Sequence, residues 1–332
     1  MLRIGTRVGT VVTSLIIGLV GMAFALSSMA SGQTGLSGIV VFGDSLSDTG
    51  NAFALGHENN TPPSYAVDPL LVPDDAYARG GHHFTNGATW AEDLARPLGL
   101  AADVSPAFRD ANPGATNYAV GGARAYDDLK NVDLSVQVQA FLGDFRNGAP
   151  ANALYVIEIG GNDVRDALGA LLTGQDPTAI IVSGLGSIGT NISSLYAAGA
   201  RRFLVWNVGN IGLTPAVRTL DAQFGPGIAV AANTLTQSFN ANLDGLLVTL
   251  QQALPGIQIM EFDLYGAIDE IYTNPMSFGL SDVADPCIAP NTPPFVCKNP
   301  DQYLFWDGIH PTKAVHAIVA REVAALLGVE LP

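Results

Sequence analysis

The chain is poor in positive charge. Its 332 residues include 15 lysines and arginines against 30 aspartates and glutamates, which gives a formal net charge of -15. Because nucleic-acid binding relies mainly on lysine and arginine contacts to phosphates, we expect no nucleic-acid partner. The acidity sets few limits on a small substrate, except that a neutral or cationic ligand is accommodated more easily than a polyanion.

Charged residues of both signs are also scarce. They make up 14% of the chain and hydrophobic residues make up 48%, so a large buried core is available and disorder is not expected. The length is compatible with one large domain or two small ones. Because there is no tandem repeat and no linker-like segment, we predict a single domain over residues 31–332.

Cysteine is nearly absent, with only Cys287 and Cys297 in the chain. Neither has a histidine or a third cysteine close in sequence, so a zinc site is poorly supported and we predict no metal. In an oxidising compartment, two cysteines ten residues apart in a proline-rich loop are typical of a disulfide. Two free thiols are the alternative.

The first thirty residues are typical of an export signal. Arg3 and Arg7 are their only charges, and an apolar run from Val8 to Leu26 is followed by small residues up to Ala30. This pattern predicts a signal peptide over residues 1–30, cleaved after Ala30, and a secreted or periplasmic protein. An uncleaved membrane anchor is the alternative, since the run of about 19 residues is just long enough to span a bilayer. After cleavage we expect no stable membrane span.

Apolar runs bounded by turn residues alternate with helical patterns along the chain. The runs predict five buried strands, at Ile39–Phe42, Thr116–Val120, Leu154–Ile159, Arg202–Asn207 and Ile257–Phe262. Helices are predicted at Ala88–Leu98, Leu134–Phe145, Pro177–Ala198, Ile228–Leu254 and Thr312–Leu327. Such alternation predicts an α/β fold with a parallel sheet and helices on both of its faces.

Two distant motifs hold the residues of a serine-dependent acyl transfer. Ser45 follows the first predicted strand through Gly43 and Asp44, at the edge of the sheet where ligands bind. Asp307 and His310 lie three residues apart in a tight turn, so the carboxylate can orient the imidazole as a general base. Taken separately, Ser45 could be a helix cap and the Asp307–His310 pair a solvent-exposed turn.

Two further strands end in glycine, where the backbone can approach a ligand closely. Gly121 and Gly122 end the second predicted strand, and Gly160 and Gly161 precede Asn162 after the third. An asparagine amide in this position can donate to a developing oxyanion beside backbone N–H groups. Ordinary turns are the alternative for either segment alone.

The motifs Gly43-Asp44-Ser45-Leu46-Ser47, Gly122, Gly161-Asn162-Asp163 and Asp307-Gly308-Ile309-His310, in this order, resemble the GDSL lipase/esterase family of SGNH hydrolases. The segment Thr85–Trp90 also looks like one of the family's blocks, and the resemblance covers roughly Ile39 to Leu327. It implies a three-layer α/β/α sandwich, flavodoxin-like, with a five-stranded parallel sheet.

By this resemblance, Ser45 is the nucleophile, His310 the base and Asp307 the residue that orients it. The Ser45 and Gly122 amides and the Asn162 side chain form the oxyanion hole, although the doubled glycine leaves Gly121 as an alternative donor. No cofactor and no metal are implied.

The resemblance predicts a secreted serine esterase or lipase that acts on a small-molecule or lipid ester, and no protein partner is inferred. It extends to a branch with secreted bacterial phospholipases, hemolysins and acyltransferases, so phospholipase or acyltransferase activity is the alternative. A non-catalytic binding protein of the same fold is a more distant one. Asp48 and Asn51 are expected to brace the Ser45 turn.

A competing motif lies at residues 184–189, where Gly184, Gly186 and Gly189 satisfy the dinucleotide-binding pattern G-x-G-x-x-G. The strand after it ends in Asn207, where an acidic residue should hold the ribose. Asp176-Pro177 before it is a helix-start signal, so a helix rich in small residues is the favoured interpretation.

Two long irregular segments, Asn51–Phe84 and Asn274–Phe305, flank the two catalytic motifs. Loops of this length are usually lids or binding loops, so we predict that they build the substrate pocket. Ordinary surface insertions are the alternative. The predicted apolar lining is Phe53, Tyr65, Leu70, Leu71, Tyr77, Phe278 and Phe295. The adjacent His82 and His83 suggest a polar loop rather than a metal site.

Overall fold

Four parallel strands form the central sheet in the computed structural model, which describes residues 35–56, 82–109, 114–288 and 297–331. They are β1 (Ile39–Gly43), β2 (Leu154–Glu158), β3 (Arg202–Trp206) and β4 (Gln258–Phe262), side by side in chain order. Every neighbouring pair is parallel, so the four carboxyl ends meet at one edge. In open α/β sheets this edge is where ligands bind.

The predicted strand Thr116–Val120 is not a regular strand. It lies beside β1, where the Tyr118 amide donates to the Val41 carbonyl at 2.7 Å, but only one bridge, between Val41 and Asn117, is formed. On its other side, the Asn51 side-chain amide donates to the carbonyl oxygens of Asn117 and Ala119, at 2.8 Å each. A side chain therefore satisfies the backbone groups of this edge segment, and the sheet has four strands instead of the five expected.

Helices cover both faces of the sheet. Those of the described residues are α1 (Asn51–Gly56), α2 (Trp90–Ala95), α3 (Leu134–Asp144), α4 (Gly161–Leu172), α5 (Thr178–Ala198), α6 (Pro215–Phe224), α7 (Ile228–Ala253), α8 (Leu264–Thr273) and α9 (Lys313–Leu326). Val40 and Phe42 of β1 join one buried cluster with residues of α3, α4, α5 and α7. Ile39 and Val41 join another with residues of α2, α8 and α9. Alternate residues of the strand thus face opposite layers, and the three-layer α/β/α architecture is confirmed.

The five predicted helices are all present, each within two or three residues of its expected ends. The sequence analysis missed α1, α4, α6 and α8. Local signals for α6 are present nevertheless, since the Thr214 side chain accepts from the Val217 amide and Pro215 occupies the first turn.

The three glycines of the dinucleotide-binding pattern all lie inside α5, as the helix interpretation predicted. A Cβ atom at Gly184 would lie 2.5 Å from Oδ1 of Asp163, so glycine is required there for close packing between elements. Among the described residues, α5 is also the helix whose length and composition would suffice to cross a bilayer. It packs against α3, α4 and α7 in the buried cluster described above.

The second long segment is partly regular. Its strands β5 (Asp282–Pro286) and β6 (Tyr303–Phe305) form a separate two-stranded parallel sheet, which the sequence analysis did not predict. Cys287 and Cys297 form a disulfide with their Cα atoms 5.4 Å apart. The predicted signal peptide and most of the first long segment, residues 57–81, lie outside the described residues.

Candidate active site

A tight turn at the end of β1 presents Ser45. The Leu46 amide donates to Oδ1 of Asp44 at 3.1 Å, and the Ser47 amide donates to the Asp44 carbonyl at 3.2 Å. Before the turn, a Cβ atom at Gly43 would lie 2.5 Å from the carbonyl oxygen of Glu158, so only glycine fits beside β2. The turn leaves the Ser45 side chain half-buried at the carboxyl edge of the sheet.

A second turn, between β6 and α9, presents His310. The Trp306 amide donates to the His310 carbonyl at 2.7 Å and closes this turn. Oδ1 of Asp307 accepts from the amides of Ile309 at 2.9 Å and His310 at 2.7 Å, which fixes the fully buried carboxylate.

The two turns meet in space. Nδ1 of His310 lies 2.8 Å from Oδ2 of Asp307, and Nε2 of His310 lies 2.8 Å from Oγ of Ser45. Three residues assigned as nucleophile, base and orienting acid are therefore joined by two hydrogen bonds, although 265 positions separate Ser45 from His310. This is the arrangement that a general base and its serine require.

The segment before α2 holds the His310 turn in place. The Thr85 hydroxyl donates to the Pro311 carbonyl at 2.8 Å, and the Lys313 amide donates to Oδ1 of Asn86 at 2.8 Å. The rings of Phe84 and His310 lie 5.3 Å apart between their centroids. Residues 84–86 thus contact the carboxyl-terminal end of the turn that carries the histidine and the first residue of α9.

Gly121 and Gly122, which follow the segment Thr116–Val120, have different environments. The Gly121 amide donates to Oδ2 of Asp48 at 2.8 Å, so this N–H is already in use. The Gly122 amide has no hydrogen-bond partner within the described ranges. The sequence left either glycine as the proposed oxyanion donor. The hydrogen bond between the Gly121 amide and Asp48 favours Gly122.

Asn162 is the second residue of α4 and lines the same cavity as Ser45. Its Nδ2 donates one hydrogen to the Ala123 carbonyl at 2.8 Å, while Oδ2 of Asp44 lies 3.4 Å away on a longer contact. The structure therefore places Asn162 beside the turn that presents Ser45. Its contact with Asp44 is long, so one Nδ2 hydrogen is only weakly bonded.

Asp48 and Asn51 brace the site through backbone groups. Besides Gly121, the Asp48 carboxylate accepts from the amides of Gly50, Asn51 and Ala52 at 2.6 to 3.0 Å. Both side chains are fully buried and, as the sequence predicted, they hold the loop around Ser45.

Two buried carboxyl groups lie beneath the nucleophile turn. Burial raises the pKa of Asp44 to about 6 and that of Glu158 well above its ordinary value, and each charge further disfavours the other. Oε2 of Glu158 accepts from the Ser47 hydroxyl at 2.8 Å, which in turn accepts from the indole N–H of Trp90 at 2.9 Å.

A cavity of about 130 Å³ opens beside Ser45 and continues along the strand ends toward α9. The polar residues of its wall include Ser45, Asn162 and Arg165, although that wall is mainly apolar. That wall includes Ile159, Val208, Leu264, Leu304, Val315 and Val319.

The predicted pocket lining from the two long segments is wrong where the structure describes it. Phe53 stacks on His82 with the ring centroids 3.5 Å apart, and Phe278 packs against the α8–α9 layer. Neither lines the cavity, although Leu304 and Phe305 of the second long segment do. Tyr65, Leu70, Leu71, Tyr77 and Phe295 lie outside the described residues. His83, the neighbour of His82, pairs with Glu92 at 3.1 Å.

The sequence analysis gave no role to Asn86, Glu158 or His316, although all three contact or border the site. A signal for Glu158 existed, because it is a lone carboxylate in an otherwise apolar strand. The contacts of Asn86 and His316 depend on tertiary packing and leave no local pattern.

Comparison with known proteins points to one family. The profile of the GDSL-like lipase/acylhydrolase family matches residues 39–323. A GDSL esterase/lipase of Arabidopsis thaliana is 29% identical over 321 residues, which cover 88% of this chain and 90% of that relative. Two others from the same plant are 29% and 28% identical, over 87% of this chain each and 85% and 84% of their own lengths.

These relatives are plant proteins, so the resemblance to the secreted bacterial branch is not supported. A crystal structure with 15% identity covers 89% of this chain and 98% of its own at a TM-score of 0.41, which is too low to support any further argument.

Proposed function

The chain belongs to the GDSL-like lipase/acylhydrolase family, whose members act on ester bonds, and from this premise we propose that it is a serine esterase with Ser45 as nucleophile. The observation that carries the proposal is the hydrogen-bonded series from Ser45 through His310 to Asp307, with both contacts at 2.8 Å. A binding protein would gain nothing from a serine hydroxyl held on an oriented imidazole.

In the proposed reaction, Oγ of Ser45 attacks the ester carbonyl while Nε2 of His310 takes its proton. Asp307 accepts from Nδ1, which keeps the imidazole in the tautomer that a base needs and stabilises the imidazolium that forms. The amides of Ser45 and Gly122 and the Asn162 side chain donate to the tetrahedral oxyanion.

His310 then gives its proton to the leaving alcohol, and the acyl group stays on Ser45 as an ester. Water, deprotonated by the same histidine, attacks this acyl-enzyme and releases the acid. Every step uses groups that the described residues supply.

A fluorophosphonate probe tests the proposal directly, because it labels a serine activated in this way. Wild-type protein should be labelled at Ser45 and should hydrolyse p-nitrophenyl esters, while Ser45→Ala should lose both properties. Ser47→Ala is the matched control, since Ser47 lies two residues away and donates to Glu158 instead of contacting His310. Unlabelled, inactive wild type would instead support the non-catalytic binding protein.

Phospholipase or acyltransferase activity on the same site is the alternative reaction. A series of p-nitrophenyl esters from acetate to palmitate, run beside a phospholipid assay with and without an added alcohol acceptor, separates the three activities.

The same proposal includes export, with residues 1–30 as a cleaved signal peptide and residues 31–332 as one hydrolase domain. The disulfide between Cys287 and Cys297 supports an oxidising compartment. N-terminal sequencing of the protein recovered from a secreting host should begin at Ser31, and a chain that begins at Met1 would favour the membrane anchor.

A further inference from the structure

The segment that carries Gly122 is a tight turn built on two glycines. The Ala123 amide donates to the Val120 carbonyl at 3.1 Å and closes the turn, and Gly122 has a φ of +80°. Glycine adopts this φ without strain, but it also has the most freely rotating backbone of any residue. A proposed oxyanion donor on such a backbone needs contacts from outside the turn to hold it in place.

Two side chains hold the backbone on either side of the Gly122 N–H. Before it, the Gly121 amide donates to Oδ2 of Asp48 at 2.8 Å. After it, the Gly122 carbonyl accepts from Nη1 of Arg124. The Gly122 N–H lies between these two contacts, so its direction depends on both. Asp48 belongs to the loop after Ser45, whereas Arg124 has no part in the reaction proposed above.

Arg124 is itself held by a carboxylate on α4. Its Nε donates to Oδ2 of Asp166 at 2.8 Å, and its Nη2 donates to Oδ1 of the same carboxylate at 3.3 Å. Two parallel hydrogen bonds fix the plane of a guanidinium as well as its position. The Tyr126 hydroxyl also donates to Oδ2 of Asp166 at 2.8 Å, which fixes the carboxylate in turn.

The same helix carries the proposed side-chain donor to the oxyanion. Asn162 precedes Asp166 by about one helical turn, and its Nδ2 donates to the Ala123 carbonyl at 2.8 Å. Two successive carbonyls of the glycine turn are thus tied to α4, that of Gly122 through Arg124 and that of Ala123 directly. These contacts set the spacing between the Gly122 N–H and the Asn162 amide, which must meet the same oxyanion.

We propose that Arg124 is a positioning residue which, together with Asp166, holds the Gly122 N–H in register with Asn162 for the oxyanion. Its guanidinium bonds to Gly122 and Asp166, so its effect reaches the substrate through the Gly122 backbone. The proposal rests on the serine esterase function given above and adds two residues to it. Because the oxyanion forms only in the transition state, loss of this support should lower kcat and leave KM nearly unchanged.

The first test is Arg124→Ala, assayed with p-nitrophenyl butyrate. Rates are expressed per site that a fluorophosphonate labels at completion, so unfolded protein does not enter the comparison. We expect kcat to fall about ten- to hundredfold, somewhat less than for the loss of a whole oxyanion donor, while KM changes by less than about threefold.

Arg201→Ala is the matched control for that variant. Nη1 of Arg201 donates to the carbonyls of Tyr196 and Ala200, at 2.8 and 2.7 Å, just before the start of β3. The change therefore removes an arginine that bonds to carbonyl oxygens at the amino end of the sheet, away from Ser45. Its kcat should stay within about twofold of wild type.

Chemical rescue separates positioning from a purely structural role. The Arg124 side chain is 14% exposed, so free guanidinium can reach the space that Arg124→Ala leaves. Guanidinium chloride, far below denaturing concentrations, should raise the kcat of Arg124→Ala by about threefold or more. Sodium chloride at the same ionic strength should not, and neither salt should raise the kcat of wild type or Arg201→Ala.

Two further variants keep the test decisive if Arg124→Ala does not fold. Arg124→Lys keeps the charge but lacks the planar fork, and Asp166→Asn removes the charge that holds the fork. Each should lower kcat by about threefold or more with little change in KM. Their combination should lose much less than the product of the two single losses, because both act through one contact.

A wild-type kcat in folded Arg124→Ala would overturn the inference, as would a loss that guanidinium does not reverse or that appears in KM alone. Wild-type kcat in both Arg124→Lys and Asp166→Asn would overturn it as well. In each case, Ser45-dependent hydrolysis by the wild-type protein would leave the esterase proposal intact. A wild-type protein that neither hydrolyses the ester nor is labelled at Ser45 would instead overturn the esterase proposal itself.

Discussion

The carboxylate of Asp48 lies 2.8 Å from the amide nitrogen of Gly121 and ties the loop after Ser45 to the segment that carries Gly122. This contact sets the position of a proposed oxyanion donor from the nucleophile side of the site. In Asp48→Asn, the single side-chain oxygen cannot accept from all four backbone N–H groups that the carboxylate now binds. We expect kcat to fall about tenfold or more, because a misplaced donor stabilises the oxyanion less.

Asp103→Asn is the matched control for that variant. Asp103 accepts from the Ile39 amide at 3.0 Å, at the opposite end of β1. The Asp103→Asn variant should be less stable than wild type, while its kcat stays within about twofold of the wild-type value. Equal losses of kcat in both variants would show that Asp48 acts through stability alone.

Asn162→Ala removes the proposed side-chain donor to the oxyanion. We expect kcat to fall by about 10²–10³ with a smaller change in KM, since the contact strengthens only in the transition state. Asn191→Ala removes a buried asparagine that donates to Ser187 of α5 and Ser135 of α3, and it should leave kcat unaffected. A kcat within a factor of three of wild type would exclude Asn162 from the mechanism.

Thr85→Val tests the contact between the Thr85 hydroxyl and the Pro311 carbonyl. The change keeps the side-chain shape and removes one hydrogen bond worth about 1 kcal/mol. We expect slower fluorophosphonate labelling of Ser45, because the His310 turn loses its fixed position. Thr236→Val, at a fully buried threonine that bonds within α7, should lower stability without slowing the labelling.

Stability should decrease as the pH rises through the range where buried carboxyl groups ionise. Burial raises the pKa of Asp44 to about 6 and that of Asp163 to about 7, whereas both ionise near 4 in the unfolded chain. Between about pH 4 and pH 7 the folded state therefore binds more protons, and raising the pH favours unfolding. The melting temperature should be about 5 °C or more lower at pH 8 than at pH 5.

Asp163→Asn should reduce that dependence, because the amide does not titrate. Its carbonyl can still accept one of the two backbone N–H groups, of Ala125 and Tyr126, that now donate to Asp163. Melting curves across this pH range provide the measurement. A variant with the same slope as wild type would show that Asp163 does not contribute to it.

Reduction of the disulfide between Cys287 and Cys297 should lower the melting temperature by about 5 °C. Opening so short a loop costs roughly 2.5–3 kcal/mol on the chain-entropy account. The double variant Cys287→Ser/Cys297→Ser should melt at this lower temperature, and dithiothreitol should not lower it further. A wild-type curve that is insensitive to reductant would contradict the prediction.

The sequence was sufficient for the layers of the fold, and the Ser45 and His310 motifs that it singled out meet in the structure. β1 and β2 are nearly continuous apolar runs, and buried parallel strands require this pattern whatever their neighbours are. The edge segment at Thr116–Val120 was mistaken for a strand because Thr, Tyr and Val are common in strands and a pair of glycines follows. Only the tertiary contact with the Asn51 side chain shows that its outer backbone groups are satisfied without a strand.

The substrate cavity was harder to predict, for a different reason. Long loops attract attention in a sequence, whereas the cavity is built from single residues at the ends of several strands and on α9. His316 is one residue on the buried side of a helix, and its sequence gives no sign that Trp90 fixes its tautomer. Such positions become visible only when distant segments are seen together.

The junction of the Ser45 and His310 turns has a consequence for biosynthesis. Since 265 positions separate the two side chains, the ribosome completes the proposed nucleophile, its loop and the five strands β2 to β6 before it adds the proposed base. On the proposed mechanism, a nascent chain that still lacks His310 cannot hydrolyse esters. On the proposed mechanism, hydrolysis therefore requires that the chain has folded far enough to join the Ser45 turn to the turn before α9.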